Sequence, residues 1–216
     1  MFYNRKDAGV RLADKLKKFR NDPGVILAIP RGGVPVAYEV ARKLGFPLEV
    51  ILTKKIGHPT NKEYAIGAAS LTDYFAIPHE GLTEEYIKEA LQIVRSRLKE
   101  MQLKFMGKRQ PEDLRGKTVI IIDDGIATGN TLLVSVQIIR KAAPGKIIVA
   151  VPVASRNAIQ KLSKVADEVI TLLEPDEFYG VGAFYEDFQQ VTDEEVVHYL
   201  EDMRMLKKKT EIDHSL

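Results

Sequence analysis

The 216-residue chain contains no cysteine and no tryptophan. Without a thiol it can build no disulfide framework, no thiolate nucleophile and no zinc–thiolate cluster. Histidine is scarce: His58, His79, His198 and His214 are scattered, with no metal-ligand spacing. No apolar run approaches the ~18 residues of a membrane span, and the charged start, Met1 to Lys6, does not read as a signal peptide. Charge of one sign is lacking too. A formal net charge of +2 leaves no electrostatic footprint for nucleic acid. Two phosphate signatures are missing: there is no G-x-x-x-x-G-K-[ST], and the nearest approach to G-x-G-x-x-G, Gly180-Val181-Gly182, has no third glycine and follows no strong strand. Internal repeats and low-complexity segments are absent. The expectation is a cytoplasmic protein that engages neither membrane nor nucleic acid.

Apolar residues make up 45% of the chain and charged residues 29%, enough to bury a real core. One stretch organises the rest, Thr118-Val-Ile-Ile-Ile-Asp-Asp-Gly-Ile-Ala-Thr-Gly-Asn-Thr131. Val119 to Ile122 have no polar face, as in a strand covered by helices on both sides. Apolarity stops at Asp123 and Asp124. Small and hydroxyl residues follow, and helical spacing resumes at Leu132, Leu133, Val136 and Ile139. A strand, a glycine-bearing loop and a helix start make a phosphate site, because backbone N–H groups converge and the helix N-terminus adds positive potential. Two carboxylates at its mouth would repel a bare phosphate. They fit a ligand that also brings hydroxyls or a divalent cation, and a phosphorylated ribose with Mg²⁺ brings both.

A second segment repeats the pattern. Val25-Ile-Leu-Ala-Ile-Pro30 reads as a buried strand, Arg31-Gly32-Gly33 as a tight loop, and Val34 to Leu44 as a helix. Alone, Arg31 would be a surface arginine on a strand-to-helix turn. Beside the first loop it becomes a guanidinium able to fork across phosphate oxygens.

Four apolar residues, Asp-Asp, two variable residues and Ala-Thr-Gly-x-Thr closely resemble the phosphoribosyl-pyrophosphate (PRPP) loop of type I phosphoribosyltransferases. Within that family the chain looks like a group carrying an Ile-Pro-Arg-Gly-Gly loop. Specific identity is confined to Ile29–Gly33 and Val119–Thr131. The resemblance implies a phosphoribosyl group moved from PRPP to a nitrogen acceptor with release of pyrophosphate. Asp123 and Asp124 would take the ribose hydroxyls and hold Mg²⁺ indirectly. Ala127, Thr128, Gly129, Asn130 and Thr131 would wrap the 5′-phosphate. Arg31, Gly32 and Gly33, with Lys54 or Lys55, would hold the pyrophosphate. In 6-oxopurine members the residue before the loop's Thr-Gly is an Asp that acts on the purine; here it is Ala127, which counts against a hypoxanthine or guanine acceptor. A PRPP-sensing regulator, or a Mg²⁺-dependent hydrolase of a phosphorylated sugar, would keep the same loop and stay as alternatives.

The remaining segments read as α/β. Helical spacing predicts a helix over Asp7 to Arg20 with Val10, Ala13 and Leu16 on its buried face. Leu48 to Thr53 reads as a strand ending in Lys54-Lys55, whose side chains would point to opposite sides. Ile56 to Glu63 reads as a mobile loop, with two short strands at Ala65–Ser70 and Leu71–Ile77. Thr83 is placed to cap a helix running to about Met106, with Ile93, Leu98 and Phe105 in its apolar stripe, suited to core or homodimer packing. Strands at Lys146–Ala154 and Glu168–Leu173 flank a helix begun by Ser155. The fold class is therefore a doubly wound, mostly parallel sheet flanked by helices, residues 1–173, with a flexible loop near 54–77. Residues 174–216 would form a small hood and a final helix over Thr192 to Lys207, ahead of a frayed tail. Phe178, Tyr179 and Tyr185 are the hood aromatics expected over the acceptor.

Overall fold

A computed structural model of the chain describes residues 1–61, 65–71, 73–76 and 82–213, the side chains of residues 65 and 208–213 excepted. In chain order the first elements are α1 (Arg5–Leu16), β1 (Gly24–Ala28), α2 (Gly33–Leu44), β2 (Leu48–Val50), β3 (Lys54–Gly57), β4 (Ala65–Ala69) and β5 (Tyr74–Ala76). Then come α3 (Glu84–Met106), β6 (Thr118–Ile122), α4 (Asn130–Arg140), β7 (Lys146–Val153), α5 (Arg156–Leu162), β8 (Glu168–Leu173) and α6 (Asp193–Asp213).

Five strands form one parallel sheet in the order β2-β1-β6-β7-β8. Successive side chains leave a strand on opposite faces, and both faces are apolar here. Ile26, Ile120 and Ile148 meet Leu12 and Leu16 of α1, Val36 and Val40 of α2, and Val196 and Leu200 of α6. Val25, Val119, Ile121, Ile147 and Val149 meet Leu132 and Val136 of α4 and Ala158 and Leu162 of α5. This is the doubly wound α/β sheet that the alternating elements predict. The chain winds outward from β1 to β2 on one side and from β6 through β7 to β8 on the other. The point where the direction reverses lies between β1 and β6, whose carboxyl ends carry the two glycine loops.

Several boundaries differ from the sequence reading. Helix α1 begins at Arg5, because the Asn4 side chain caps it by accepting from the Asp7 N–H at 3.0 Å. Its buried face is Ala8, Leu12, Ala13 and Leu16, and Val10 is exposed; small residues face α2 where the helices meet. Strand β2 stops at Val50. Lys54 and Lys55 do not extend it but start a separate antiparallel sheet, β3-β4-β5, in which Lys54 pairs with Ala69 and Lys55 with Ala68. Ile56 and Gly57, expected in a mobile loop, are part of β3; residues 62–64, 72 and 77 of the expected 54–77 loop lie outside the described residues. Thr83 does cap α3, accepting from the Tyr86 N–H at 3.2 Å. Ile93, expected in its buried stripe, faces outward. Helix α6 continues through Asp213 rather than ending in a frayed tail near Lys207.

The chain start and the aromatic arm come together. Phe2 bridges Tyr185 in parallel, with Phe2 N–H donating to Phe184 O at 2.8 Å and Glu186 N–H to Phe2 O at 2.9 Å. Phe2, Ala8, Val153 and Tyr185 form a small cluster with Phe178 and Phe184 against it. Residues 178–186 are thus tied to the first residues of the chain.

Candidate active site

The β6 loop is fixed from below. Ile126 N–H donates to Val153 O (2.9 Å), Ser155 N–H to Ile126 O (3.0 Å), and Ser155 Oγ to Ala127 O (2.6 Å). Ser155 also caps α5 by accepting from Ala158 N–H at 3.2 Å, so one hydroxyl ties the loop to a helix start. Above this anchor Ala127, Thr128, Asn130 and Thr131 line the loop, and Gly129 (φ 75°) turns the chain into α4. The helix's first backbone hydrogen bond runs from Leu133 N–H to Gly129 O at 2.8 Å. The amides of residues 130–132 precede it and have no partner within the helix, the arrangement an anion site needs.

The β1 loop presses against the acids. Ile29 N–H donates to Ile122 O at 2.8 Å, and the Pro30–Arg31 peptide is cis. A Cβ on Gly33 would lie 2.7 Å from Ile122 O and 2.8 Å from Asp123 Cα. On Gly32 it would lie 2.0 Å from Asp124 Oδ2. Only glycine lets this loop lie beside the acid pair.

The two carboxylates are not equivalent. Asp123 Oδ1 accepts from the Asp124 N–H at 2.9 Å. Burial, then the neighbouring Asp124 charge, push Asp123 well above the ordinary carboxylate range. Burial raises Asp124 too, opposed by an arginine absent from the sequence reading: Arg5 Nε lies 2.8 Å from Asp124 Oδ2, the two side chains being 12% and 14% exposed. Arg5 also donates to Gln189 O at 2.6 Å and lies over the Phe188 ring, 3.8 Å from its centroid. Tyr185 Oη donates to Asp124 O at 2.6 Å, and burial raises its pKa.

Arg5, Arg31, Gly32, Asp124, Phe188, Gln190 and Val191 line a cavity of about 350 Å³ over the acids. The expected residues therefore divide. Asp124, Arg31 and Gly32 meet at one cavity; Asp123 and Gly33 do not line it but pack on each other next to the residues that do; residues 127–131 run from β6 into α4. Lys54 and Lys55 lie on β3 and do not line it. Among the hood aromatics Tyr185 is 6% exposed, packed between Phe2 and Phe188, so it supports the Asp124 backbone instead of offering a stacking face. Phe178 packs on Phe184, and Tyr179, 84% exposed, donates to Glu177; neither lines the cavity. The ring that does is Phe188, 37% exposed. Sequence patterning does not reveal Arg5 and Phe188, because their meeting is long-range; the Asn4 cap, which sets Arg5 on the first turn, is the one local signal.

Among the described residues no group of three or more acidic or histidine side chains is arranged to hold a metal by itself, and no helix is long and apolar enough to cross a membrane. The acid pair does fit Mg²⁺ that is also bound by phosphate oxygens and water, since that ion commonly takes only one or two carboxylates.

Residues 4–189 match the phosphoribosyl transferase domain family. A Mycobacterium tuberculosis protein provisionally named a phosphoribosyl transferase is 35% identical over 206 residues, 93% of this chain. The chain spans 46% of that relative's length, about half. The crystal structure of TT1426 from Thermus thermophilus superposes with a TM-score of 0.85 at 36% identity, covering 94% of this chain and 99% of that one. The amidophosphoribosyltransferase of Rhizobium etli is 27% identical over 151 residues, 70% of this chain and 24% of its own. With the match running from the Asn4 cap through both glycine loops to the arm that closes on Arg5, the chain belongs to the phosphoribosyl transferase domain family.

Proposed function

We propose that this site transfers the 5-phosphoribosyl group of PRPP to a nitrogen acceptor and releases pyrophosphate. The observation that carries the proposal is the contact between the Arg31-Gly32-Gly33 loop and the Asp123–Asp124 pair at the point where the sheet reverses direction. It sets an anion-binding loop within reach of hydroxyl-accepting carboxylates, as a phosphorylated ribose requires.

In this reading the 5′-phosphate sits on the loop of residues 127–131, held by backbone N–H groups and the Thr128 and Thr131 hydroxyls. Asp123 and Asp124 accept from the 2′ and 3′ hydroxyls and fix the ring. Arg31, Gly32 and Gly33 take the pyrophosphate. Mg²⁺, held indirectly by Asp123 and Asp124, would neutralise diphosphate charge when bound. As the C1′–oxygen bond lengthens, the sugar becomes oxocarbenium-like and negative charge gathers on the leaving group. Carboxylates under the ring and a guanidinium beside the diphosphate meet both charges without reorganising. The acceptor nitrogen then bonds C1′ from the opposite side. Ala127 can exchange no proton with the acceptor, which steers the proposal away from 6-oxopurines. The Rhizobium relative's name, and that of the uracil phosphoribosyltransferase of Mycoplasma genitalium, 39% identical over 62 residues, support transfer to nitrogen.

Pyrophosphate release from PRPP and Mg²⁺, assayed against a panel of nitrogen bases and without one, tests this. Release that depends on a base is the expected result. Equal release with no acceptor would assign the site to hydrolysis instead.

A further inference from the structure

We infer that the acceptor is a planar nitrogen ring bearing a carboxylate, and that Arg5, seated on Phe188, recognises that carboxylate. The inference deepens the phosphoribosyl reading and rests on it.

Charge at the cavity is the first observation. Two guanidinium groups, Arg5 and Arg31, line it against one carboxylate, Asp124. Asp193 lies 3.8 Å from Arg31, beyond hydrogen-bond distance, and receives Lys104 at 2.7 Å. Arg31 therefore keeps its donors for the pyrophosphate beside Gly32 and Gly33. Arg5 stands apart from that loop's work. Its Nε is used by Asp124 and one terminal nitrogen by Gln189 O. Among the described residues the other terminal nitrogen, Nη2, has no hydrogen-bond partner.

The Arg5 side chain is 12% exposed, yet Nη2 is not among the buried atoms left without a partner, so it meets solvent and is a donor that a ligand oxygen can take over from water. The chemistry of that ligand follows from the platform. Arg5 is held over the Phe188 ring, and Phe188 is held in turn by Tyr185 at 5.0 Å between centroids. A flat, fixed guanidinium selects a planar oxyanion. Gln190, exposed at the same cavity, adds an amide donor. A neutral base can offer Nη2 only a carbonyl oxygen, whereas a ring carboxylate offers a charged acceptor, roughly twice as strong a partner, while the ring nitrogen faces the sugar. Asp124 also links this platform to the ribose, since one of its oxygens is already shared with Arg5.

The test uses matched acceptor pairs with PRPP and Mg²⁺: uracil against uracil-6-carboxylate, and pyridine-3-carboxamide against pyridine-3-carboxylate. In at least one pair the carboxylate should exceed its neutral partner about tenfold or more in kcat/KM, the scale of one hydrogen bond to a charged group. Arg5→Gln should shrink that ratio to within about threefold, and Arg5→Lys should keep part of it. The ratio within a pair is the readout, because losing Arg5 also alters Asp124 and hence PRPP binding to both members. If no pair turns over, the same compounds are titrated by calorimetry into wild-type protein saturated with PRPP and Mg²⁺. Equal response to both members of every pair, no carboxylate binding, or a preference that survives Arg5→Gln overturns the inference alone. Failure to bind PRPP instead overturns the phosphoribosyl reading on which it rests.

Discussion

Two basic segments follow the first two strands of the main sheet, and they are built differently. Arg31 stands on a loop wedged against the backbone of residues 122–124, where neither Gly32 nor Gly33 can accept a Cβ without displacing an acid or a main-chain atom. Lys54 and Lys55 stand on β3, in a small antiparallel sheet whose buried residues Ile56, Ile66 and Ala69 cluster with Leu91 of α3, and whose β4 and β5 also touch α4. Basic charge after a strand is thus not enough to place a residue on the cavity over Asp124. The carboxyl edge of a parallel sheet at its point of reversal fixes loops relative to one another. A hairpin insert is fixed only to what it packs on.

Breaking the first loop should have the largest effect. Gly33→Ala puts a methyl group against two main-chain atoms that cannot swing aside, and should cost about 2–3 kcal/mol of stability in urea melts. Gly32→Ala meets a carboxylate that can rotate away, so its loss should fall on PRPP affinity more than on folding. Next in size is the contrast between the basic residues themselves. Arg31→Ala should lower kcat/KM for PRPP by roughly 10- to 100-fold, the loss of hydrogen bonds to a charged group. Lys54→Ala, at a half-buried position off the cavity, and Lys55→Ala, at an exposed one, should each stay within about threefold. Equal losses at Arg31 and either lysine would show that the insert reaches the leaving group after all.

Smaller effects sharpen how the loop is held. Ser155→Ala removes both the α5 cap and the hydrogen bond to Ala127 O, and should cost about 1 kcal/mol with a few-fold weaker PRPP binding. Asp123→Asn should act in the opposite direction on stability. Burial and Asp124 raise the Asp123 pKa in the folded chain, so the folded state favours the protonated acid. That stabilisation is complete below the usual carboxylate pKa and is lost as pH rises through the raised value. At pH 7 the wild type therefore carries a penalty that asparagine removes, while its carbonyl still accepts from Asp124 N–H. Tm should rise at pH 7, by about 2–4 °C for each kcal/mol relieved, and the gap should close as pH falls.

The sheet and both loops were legible because each is local. Val119 to Ile122 lacks a polar face, Asp123 and Asp124 end it abruptly, and Gly32-Gly33 sits where a helix begins. Strand order was legible only as a class, since nothing in Leu48–Val50 says that it pairs with β1. The aromatic arm was legible as a cluster, but not in which ring is buried and which lines the cavity. Tyr185, Phe178 and Phe188 look alike in sequence. What separates them is the long-range pairing of Phe2 with Tyr185, which buries one ring, and the salt bridge from Arg5 across 119 positions to Asp124, which leaves another beside the cavity. The strand boundary expected at Lys54-Lys55 moved for the same reason: the end of β2 is decided by its partner β1, not by its own residues.

The most direct test of the central claim is calorimetric titration of PRPP with Mg²⁺ into the wild-type protein and the Asp123→Asn/Asp124→Asn variant. Binding in the micromolar range that requires Mg²⁺ and is lost in a folded double variant is the expected result. A folded wild-type protein that binds no PRPP, or a variant that binds it equally well, would contradict the account.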